Sequence, residues 1–313
     1  MQALALHTET RVATHEKLNA LVDAFIRAQD VKPSSRATYK RMLSRFMEWF
    51  SSNGSQDPTR ETILAYKASL EEKKLSPLTL SGYLVAVRKF FEWTEGSKLY
   101  PNIARGVKGS KRSKGFRKDP LTIAQIRELL GSVDRSTLEG KRDFALLNLL
   151  VRTGLRTVEA VRADLGDVRQ EGGEAVLWVQ GKGRDSKDEF VLLTPDTLKP
   201  IREYLTERGA VEDSSPLFAS QSDRNKDERL STRTLSRIAK ETLKGIGLNS
   251  GRLTAHSLRH TAITLSLQAG ATIQEAQALG RHANINTTLI YAHNINRIAH
   301  APERKIEELL RVG

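Results

Sequence analysis

Residues 254–293 read TAHSLRHTAITLSLQAGATIQEAQALGRHANINTTLIYAH, and the rest of the chain is organised around this stretch. Two histidines, an arginine and a tyrosine stand just outside its apolar runs: His256, Arg259, His282 and Tyr291. A phosphodiester under attack gathers negative charge on its non-bridging oxygens, so a catalyst needs fixed cationic donors aimed at them. Arginine supplies a permanently charged fork, histidine a donor that also carries protons, and tyrosine a covalent nucleophile. The stretch therefore contains the residue types needed to bind a phosphate and to attack its phosphorus with a tyrosine hydroxyl.

Only one tyrosine of the chain lies among such groups. The phenol has an ordinary pKa of about 10, so it needs a cationic neighbourhood or a base before its oxygen becomes a good nucleophile. The tyrosines are Tyr39, Tyr66, Tyr83, Tyr100, Tyr204 and Tyr291. The last alone stands beside histidines and an arginine, which makes it the candidate nucleophile.

A second motif lies about a hundred residues upstream and reads Thr153-Gly154-Leu155-Arg156-Thr157-Val158-Glu159. It joins His256-x-x-Arg259, Leu279-Gly280-Arg281-His282 and the nine-residue step from His282 to Tyr291. Together these motifs resemble the tyrosine recombinase (phage integrase) family, closest in style to its Xer-type members. Any one of them is weak alone, whereas the set is highly specific. The resemblance covers roughly residues 15 to 311.

The resemblance implies a site-specific recombinase that cuts and rejoins DNA through a 3′-phosphotyrosyl intermediate. Tyr291 would attack the scissile phosphate and free a 5′-hydroxyl, while Arg156 and Arg259 would grip the non-bridging oxygens. His256 would assist proton transfer from the nucleophile, and His282 would donate a hydrogen bond to the phosphate. The biological role implied is integration, excision or resolution, as in mobile genetic elements.

Residues 175–180 and 189–193 are predicted to form two strands around the turn Gly181-Lys182-Gly183-Arg184. The resemblance makes Lys182 the general acid that protonates the leaving 5′-oxygen. The family pattern after the second glycine is x-Lys-x-Arg, from which this turn departs, so Lys187 remains an alternative. Glu159 is expected to be a buried partner that orients the cationic groups, with a surface cap as the alternative.

The predicted fold is mainly α-helical with a small β-hairpin or sheet. By resemblance, an N-terminal helical bundle (a SAM-like core-binding domain) precedes a mixed α/β tyrosine recombinase catalytic domain. Apolar spacing indicates four short helices before residue 95. Asp57-Pro58 and Ser76-Pro77 each predict an N-cap followed by a first-turn proline. We expect a DNA-binding domain over residues 1–104, a linker over 105–118 and the catalytic domain over 119–313.

The formal net charge of +13 favours a polyanionic partner such as nucleic acid, although a solvated basic surface is the ordinary alternative. Cations concentrate in the expected linker, where no acid occurs before Asp119: Arg105, Lys108, Lys111, Arg112, Lys114, Arg117 and Lys118. Such a stretch is expected to be flexible when free and to follow the DNA backbone. The implied partner is double-stranded DNA with inverted-repeat core sites.

Ile306, Leu309 and Leu310 give a last short helix, from about residue 302 to 311, one apolar stripe. A helix this short is marginal alone, so it must dock on its own domain or on a neighbour. The resemblance favours a neighbour, since family members pass a C-terminal helix to the adjacent protomer in a cyclic tetramer. We therefore expect a homo-tetramer on synapsed DNA and a monomer when free.

His256 and His260 have the i, i+4 spacing of a zinc-binding helix face, but no glutamate follows His256 and no carboxylates cluster nearby. We therefore expect no metal and no cofactor. Without cysteine, and without an apolar run of roughly 20 residues, the chain is expected to be cytoplasmic and nucleoid-associated. A type IB topoisomerase-like enzyme and a catalytically silent DNA-binding regulator stay open. Supercoil relaxation without a specific site would favour the first, and site binding without a covalent adduct the second.

Overall fold

The computed structural model describes residues 15–53, 57–109, 118–181, 184–299 and 301–311. Of residues 15–17 and 293–299 it describes the backbone alone. The chain divides into two compact units, Met1–Gly115 and Phe116–Gly313. Within the described ranges, no helix combines the length and the apolar character that crossing a membrane requires.

The first unit is a bundle of short helices, namely α1 (His15–Ala28), α2 (Pro33–Ser52), α3 (Arg60–Glu72) and α4 (Pro77–Gly96). Apolar residues recur at helical spacing, so each helix turns one face inward. The shared core is strongly aromatic. Phe25 meets Phe90 edge-on with ring centroids 5.8 Å apart, and Phe46 meets Tyr66 edge-on at 5.0 Å. The first pair joins α1 to α4 and the second joins α2 to α3, and both pairs lie in one buried core.

The start of α4 follows the prediction made from Ser76-Pro77. Ser76 is the N-cap, and its hydroxyl accepts a hydrogen bond from the backbone N–H of Thr79 at 3.2 Å. Pro77 stands in the first turn, where its missing N–H would have had no helical partner. This helix start is therefore specified locally by its own residues.

The prediction at Asp57-Pro58 is wrong. Helix α3 begins at Arg60, and Thr59 is its N-cap. The carbonyl of Pro58 instead accepts a hydrogen bond from the hydroxyl of Tyr100 at 2.6 Å. Thr59 begins the helix through a capping box, in which its backbone N–H donates to the hydroxyl of Thr62 at 2.9 Å, so Pro58 stands before the first turn.

The beginning of the expected linker packs on the first unit. Val107 is 2% exposed and belongs to the aromatic core. Arg105 forms an ion pair with Glu95 at 2.5 Å, and its carbonyl accepts from Arg60 at the same distance. Residues 105–109 are therefore held against the helical bundle, and Lys108 is exposed there. Four of the expected linker cations lie outside the described residues: Lys111, Arg112, Lys114 and Arg117.

The second unit is built on a larger set of helices, namely α5 (Ile123–Gly131), α6 (Leu138–Thr153), α7 (Thr157–Arg162), α8 (Pro195–Arg208), α9 (Thr232–Gly245), α10 (Ala255–Gln268), α11 (Ile273–Gly280), α12 (Ile285–Ala299) and α13 (Pro302–Leu310). Helix α6 is central, with α8 and α10 packed against it. Its residues Leu146, Leu147 and Leu149 are fully buried. The corner that follows α6 therefore starts from a fixed point in the core.

A small antiparallel sheet lies beside these helices, in the order β1 (Val168–Glu171), β2 (Glu174–Val179) and β3 (Glu189–Leu192). The predicted pair of strands corresponds to β2 and β3. The sequence analysis missed β1, whose residues VRQE are mostly exposed and lack an apolar alternation. Gly172 and Gly173, with φ of +58° and +86°, make the two-residue turn into β2. Pairing with β2, rather than its own composition, makes β1 a strand.

Candidate active site

Arg156 stands at a sharp corner between two helices. Helix α6 is followed by Gly154, whose φ of +61° lies in the left-handed region that favours glycine. Arg156 is then the residue that precedes α7. Its guanidinium donates to Oε1 of Glu159 at 2.6 Å and to the carbonyl of Arg281 at 3.0 Å. The side chain is 27% exposed, so a cation of fixed orientation is presented to solvent.

Glu159 is a fully buried carboxylate between two arginines. Its Oε2 accepts from Arg281 at 2.8 Å and from the backbone N–H of Arg156 at 2.7 Å. Burial alone would raise the pKa of this carboxyl, but the cation of Arg281 and the hydrogen bonds from Arg156 outweigh burial and lower the pKa. Glu159 therefore carries a full charge that orients the guanidinium groups on both sides of it.

Arg259 joins this corner to the end of α11. It lies on α10, is 2% exposed, and donates to the carbonyl of Gly154 at 2.5 Å and to the carbonyl of Gly280. Burial first, and then the cations of Arg156 and Arg281, lower the pKa of Arg259 to about 9. It is still a cation at neutral pH. Three guanidinium groups thus converge with one carboxylate, which leaves local positive charge for an anion.

His282 follows α11 and is held by a buried threonine. A Cβ atom at Gly280 would stand 2.9 Å from the His282 ring, so the ring occupies space that only glycine leaves open. Nδ1 of His282 lies 2.9 Å from the hydroxyl of Thr288, which is fully buried. When that hydroxyl donates to Nδ1, the proton of the neutral ring sits on Nε2. The ring can then donate to a phosphate oxygen.

Tyr291 lies on α12 within a line of aromatic rings. Its side chain is largely buried, and the residue is 4% exposed. The ring centroid of Tyr291 is 6.1 Å from that of His282 and 5.1 Å from that of His260. His260 in turn meets His256 at 4.8 Å in an edge-on arrangement. The candidate nucleophile and three histidines therefore form one continuous group.

The electrostatics of this group determine which forms exist at neutral pH. Burial raises the pKa of Tyr291 to about 12, although the cations of Arg259 and Arg156 oppose that rise. The pKa values of His260 and His282 fall to about 4, chiefly through burial and then through neighbouring cations and imidazoles. The pKa of His256 is also lowered, by desolvation first and by the cation of Arg259 next, although the residue is exposed at the surface. The resting site thus holds a phenol and neutral imidazoles.

A cleft of about 760 Å³ opens beside His282. Arg156, Arg281 and His282 line one part of it, and the rings of Trp178 and Phe190 on the sheet line another. Those two rings pair across β2 and β3 with centroids 5.4 Å apart. The carboxylates of Asp188 and Glu189 also line the cleft, and both pair with Arg184. The donors of Arg156, Arg281 and His282 therefore form the part of the cleft that suits a phosphate.

The two candidate lysines of the hairpin differ in what the structure says of them. Lys182 lies outside the described residues, while Gly181, directly before it, lines the cleft. Lys187 has its Nζ 2.6 Å from Asp164 and 2.5 Å from Asp167. Burial would lower the pKa of Lys187, but hydrogen bonds to these carboxylates outweigh it and raise the pKa. Lys187 is therefore bound to the rest of the unit through a doubly paired ammonium group.

Two residues of this site had no role in the sequence analysis. Arg281 supplies both a side chain and a carbonyl to the network, and Thr288 fixes the ring of His282. Both lie within residues 254–293, so their closeness in sequence to the candidate residues is the signal that could have identified them.

In the part of the chain that is described, no three residues among His, Asp and Glu are grouped to hold a metal ion. Lys118, the last linker cation, donates to the carbonyl of Gly251 at 2.7 Å.

Most of the chain is similar to known proteins. Residues 120–297 match the phage integrase family, and residues 18–100 match the SAM-like N-terminal domain of phage integrases. Tyrosine recombinase XerC of Herpetosiphon aurantiacus is 30% identical over 268 residues, covering 83% of this chain and 84% of that protein. Tyrosine recombinase XerD of Listeria innocua is 28% identical over 291 residues, covering 88% of this chain and 94% of that protein.

Solved structures show the same fold. The XerH site-specific recombinase in a post-cleavage complex with a palindromic difH substrate has a TM-score of 0.71 at 23% identity, over 93% of this chain and 85% of that one. A lambda integrase dimer bound to a COC′ core site has a TM-score of 0.68 at 16% identity, over 86% and 96% of the two chains. The predicted fold class is confirmed.

Fold and family match together define a tyrosine-type site-specific DNA recombinase. The chain belongs to the phage integrase family, as its motifs predicted. The topoisomerase-like and regulatory alternatives are thereby set aside in favour of the recombinase.

Proposed function

We propose that this recombinase uses Tyr291 to cut one DNA strand at a specific site. The phenolic oxygen forms a bond to the scissile phosphorus as the bond to the 5′-oxygen breaks, giving a 3′-phosphotyrosyl link and a free 5′-hydroxyl. A 5′-hydroxyl then reverses these steps and rejoins a strand. The observation that carries the proposal is the placement of Tyr291 against His282 and His260, near the cations of Arg259 and Arg156.

Arg156, Arg259 and His282 would hold the non-bridging oxygens of the phosphate. Hydrogen bonds between the segments that carry these residues support this role. Arg259 donates to the carbonyl of Gly280, two residues before His282, and Arg156 donates to the carbonyl of Arg281. Donors fixed before the reaction lose little energy to reorganisation when charge develops on the phosphate. A neutral His282 still contributes, because one ring nitrogen carries a donor proton.

The phenol must lose its proton during attack, because its pKa of about 12 keeps Tyr291 protonated at neutral pH. His256 would take that proton. Its lowered pKa leaves the ring neutral, with a nitrogen free to accept at neutral pH. The negative charge of a bound phosphate would stabilise the imidazolium that forms. Glu159 takes no proton in this scheme, since its own pKa is lowered.

Lys182 would protonate the leaving 5′-oxygen. The pairing of Lys187 with two carboxylates supports this choice, because that ammonium would have to leave both partners before reaching a substrate. The covalent link retains the energy of the phosphodiester, so rejoining requires no ATP, and we propose no cofactor. The expected substrate is double-stranded DNA with inverted-repeat core sites.

A homo-tetramer on synapsed DNA is proposed for the complete reaction, with a monomer as the free form. The exposed stripe of α13 supports it: Ile306, Leu309 and Leu310 are 54%, 85% and 72% exposed. These residues are not covered by the chain's own described part, and a second copy is the partner that a symmetric assembly supplies. A cytoplasmic, nucleoid-associated location is proposed as well, and a DNA substrate supports it. Two domains joined by a linker at residues 105–118 are proposed, and each of them is expected to bind the duplex.

The decisive experiment first identifies the DNA by sequencing fragments that the purified full chain retains from a random pool. Wild-type protein should then form a covalent adduct on the selected duplex, seen on a denaturing gel. Tyr291→Phe should bind that duplex with an unchanged Kd and form no adduct. Tyr204→Phe, a buried tyrosine elsewhere in the second unit, is the matched control. Adduct formation by Tyr291→Phe at the wild-type rate would refute the assignment.

A further inference from the structure

Arg281 adopts a backbone conformation that residues with a side chain rarely adopt. It ends α11 with a φ of +47°, in the region that favours glycine. Its side chain is nevertheless 4% exposed. Residues persist in such conformations where surrounding contacts determine them, often at functional sites. The buried side chain must therefore make contacts that a glycine could not replace.

Those contacts all lead to protein acceptors. The guanidinium donates to the carbonyl of Leu279 at 2.9 Å, to the carbonyl of Gly154 at 3.2 Å and to Oε2 of Glu159 at 2.8 Å. The carbonyl of Arg281 accepts from Arg156 at 3.0 Å. One residue thus connects the α6–α7 corner to the segment that carries His282. Its side chain donates to Gly154 and Glu159, and its backbone carbonyl accepts from Arg156.

We infer that Arg281 is a positioning residue for strand cleavage, acting through Glu159 on Arg156. The inference rests on the proposed function of the cleft. Glu159 is buried and accepts on both oxygens, one toward Arg156 and one toward Arg281. Without Arg281, the carboxylate keeps a single cationic partner and draws Arg156 away from the cleft. With Arg281, its charge is balanced from both sides, and Arg156 stays oriented toward the phosphate.

Two further effects support this role. The cation of Arg281 is among the causes that lower the pKa of His282 and of Arg259. It therefore helps keep the His282 ring neutral. Arg281 also shares the carbonyl of Gly154 with Arg259. A change at residue 281 is accordingly expected to alter the chemical step more than the grip on the DNA duplex.

The test uses Arg281→Gly, Arg281→Lys, Glu159→Gln and the double variant Arg281→Gly/Glu159→Gln in the full chain. Glycine keeps the left-handed backbone, and with it the carbonyl that accepts from Arg156. The probe is the duplex selected by the wild-type protein, and two quantities are measured: its Kd, and the first-order rate of adduct formation at saturating protein. Arg224→Gly, which removes one cation from an exposed loop, is the matched control.

Arg281→Gly should lower the rate at least about tenfold while changing Kd less than about threefold, and Arg281→Lys should recover part of the rate. In the Glu159→Gln background, Arg281→Gly should change the rate less than about threefold, since the two residues act as one unit. The inference would be overturned by a wild-type rate in Arg281→Gly, or by a loss of DNA affinity as large as the loss of rate. Additive losses of rate in the double variant would overturn it as well. If Arg281→Gly does not fold, Arg281→Lys and Glu159→Gln are compared instead. Each should lower the rate of adduct formation while leaving Kd nearly unchanged, and a wild-type rate in both would overturn the inference. An absence of adduct in the wild type would instead refute the proposed function.

Discussion

The general acid can be tested at a single lysine. Replacing Lys182 by Ala should slow cleavage, because the leaving 5′-oxygen would depart without a proton. A substrate with sulfur in place of that oxygen should restore much of the rate, since sulfur leaves without protonation. The measurement is the rate of adduct formation on the two substrates. Lys187→Ala provides the comparison, and its loss of rate should not be restored by sulfur. Rescue of Lys187→Ala rather than Lys182→Ala would move the role to Lys187.

His260 links burial of an imidazole to stability. It is 7% exposed, and burial lowers its pKa to about 4 from an ordinary value of about 6.5. The unfolded chain then binds more protons than the folded one as pH falls from 6.5 toward 4, so stability is lost over that interval. Between pH 7.5 and 5 this histidine alone should reduce the free energy of unfolding of the second unit by about 2 kcal/mol.

Replacing His260 by Gln removes that titration, so the variant should lose about 2 kcal/mol less than the parent over the same interval. Urea unfolding can be followed by fluorescence of Trp178, the single tryptophan of the second unit, after Trp49 and Trp93 are changed to Phe. Equal losses in parent and variant would show that His260 does not titrate differently in the folded state.

Helix α13 has an apolar face that is exposed to solvent. Leu309 and Leu310 are 85% and 72% exposed, so docking on its own domain, the alternative weighed from sequence, is not what the described structure contains. Truncation after Ala301 should therefore leave half-site binding and the stability of the second unit unchanged. It should abolish cooperative pairing of sites and recombination, because the apolar stripe would no longer reach a second copy.

A finer version replaces Leu309 and Leu310 by Ser and compares them with Lys305→Ser and Glu308→Ser on the polar part of the same helix. Only the first pair should lose cooperativity in a gel-shift titration of a two-site duplex. Cooperative pairing that survives both truncation and substitution would show that the stripe of α13 is not the contact between protomers.

The whole chain has a formal net charge of +13, and we predict that part of this charge binds the DNA backbone. Each phosphate contact contributes about 0.9 to the salt slope of log K. Replacing Lys111, Arg112 and Lys114 by Ser should therefore flatten that slope by up to about 2.7, with little change in site preference. The measurement is Kd against salt concentration for the selected duplex and for an unrelated one.

A matched variant replaces Lys199, Arg202 and Lys244 by Ser. Both variants lower the net charge from +13 by three, to +10. If the linker variant and this control flatten the slope equally, the effect belongs to overall charge and not to contacts made by residues 111–114. A slope that neither variant changes would show that none of these side chains meets the DNA backbone.

Local patterns were enough for much of this protein. Helices with a clear apolar face and the cap at Ser76 could be predicted, because each depends on residues only a few positions apart. The motif residues around Tyr291 could also be assigned to one site, since their chemical types share a single use. What local patterns could not supply was the partner of any residue lying far along the chain.

Tertiary structure alone decided the rest. Strand β1 exists because β2 pairs with it, and the carbonyl of Pro58 accepts a hydrogen bond from Tyr100, which lies 42 residues further along the chain. Lys187 donates hydrogen bonds to Asp164 and Asp167, which lie 23 and 20 residues earlier in the chain. These bonds depend on where the hairpin packs in the folded unit. The contact of Arg281 with Glu159 spans 122 residues. A buried carboxylate is stable only when its cations reach it, and in this chain one of them comes from a segment that folding alone brings near.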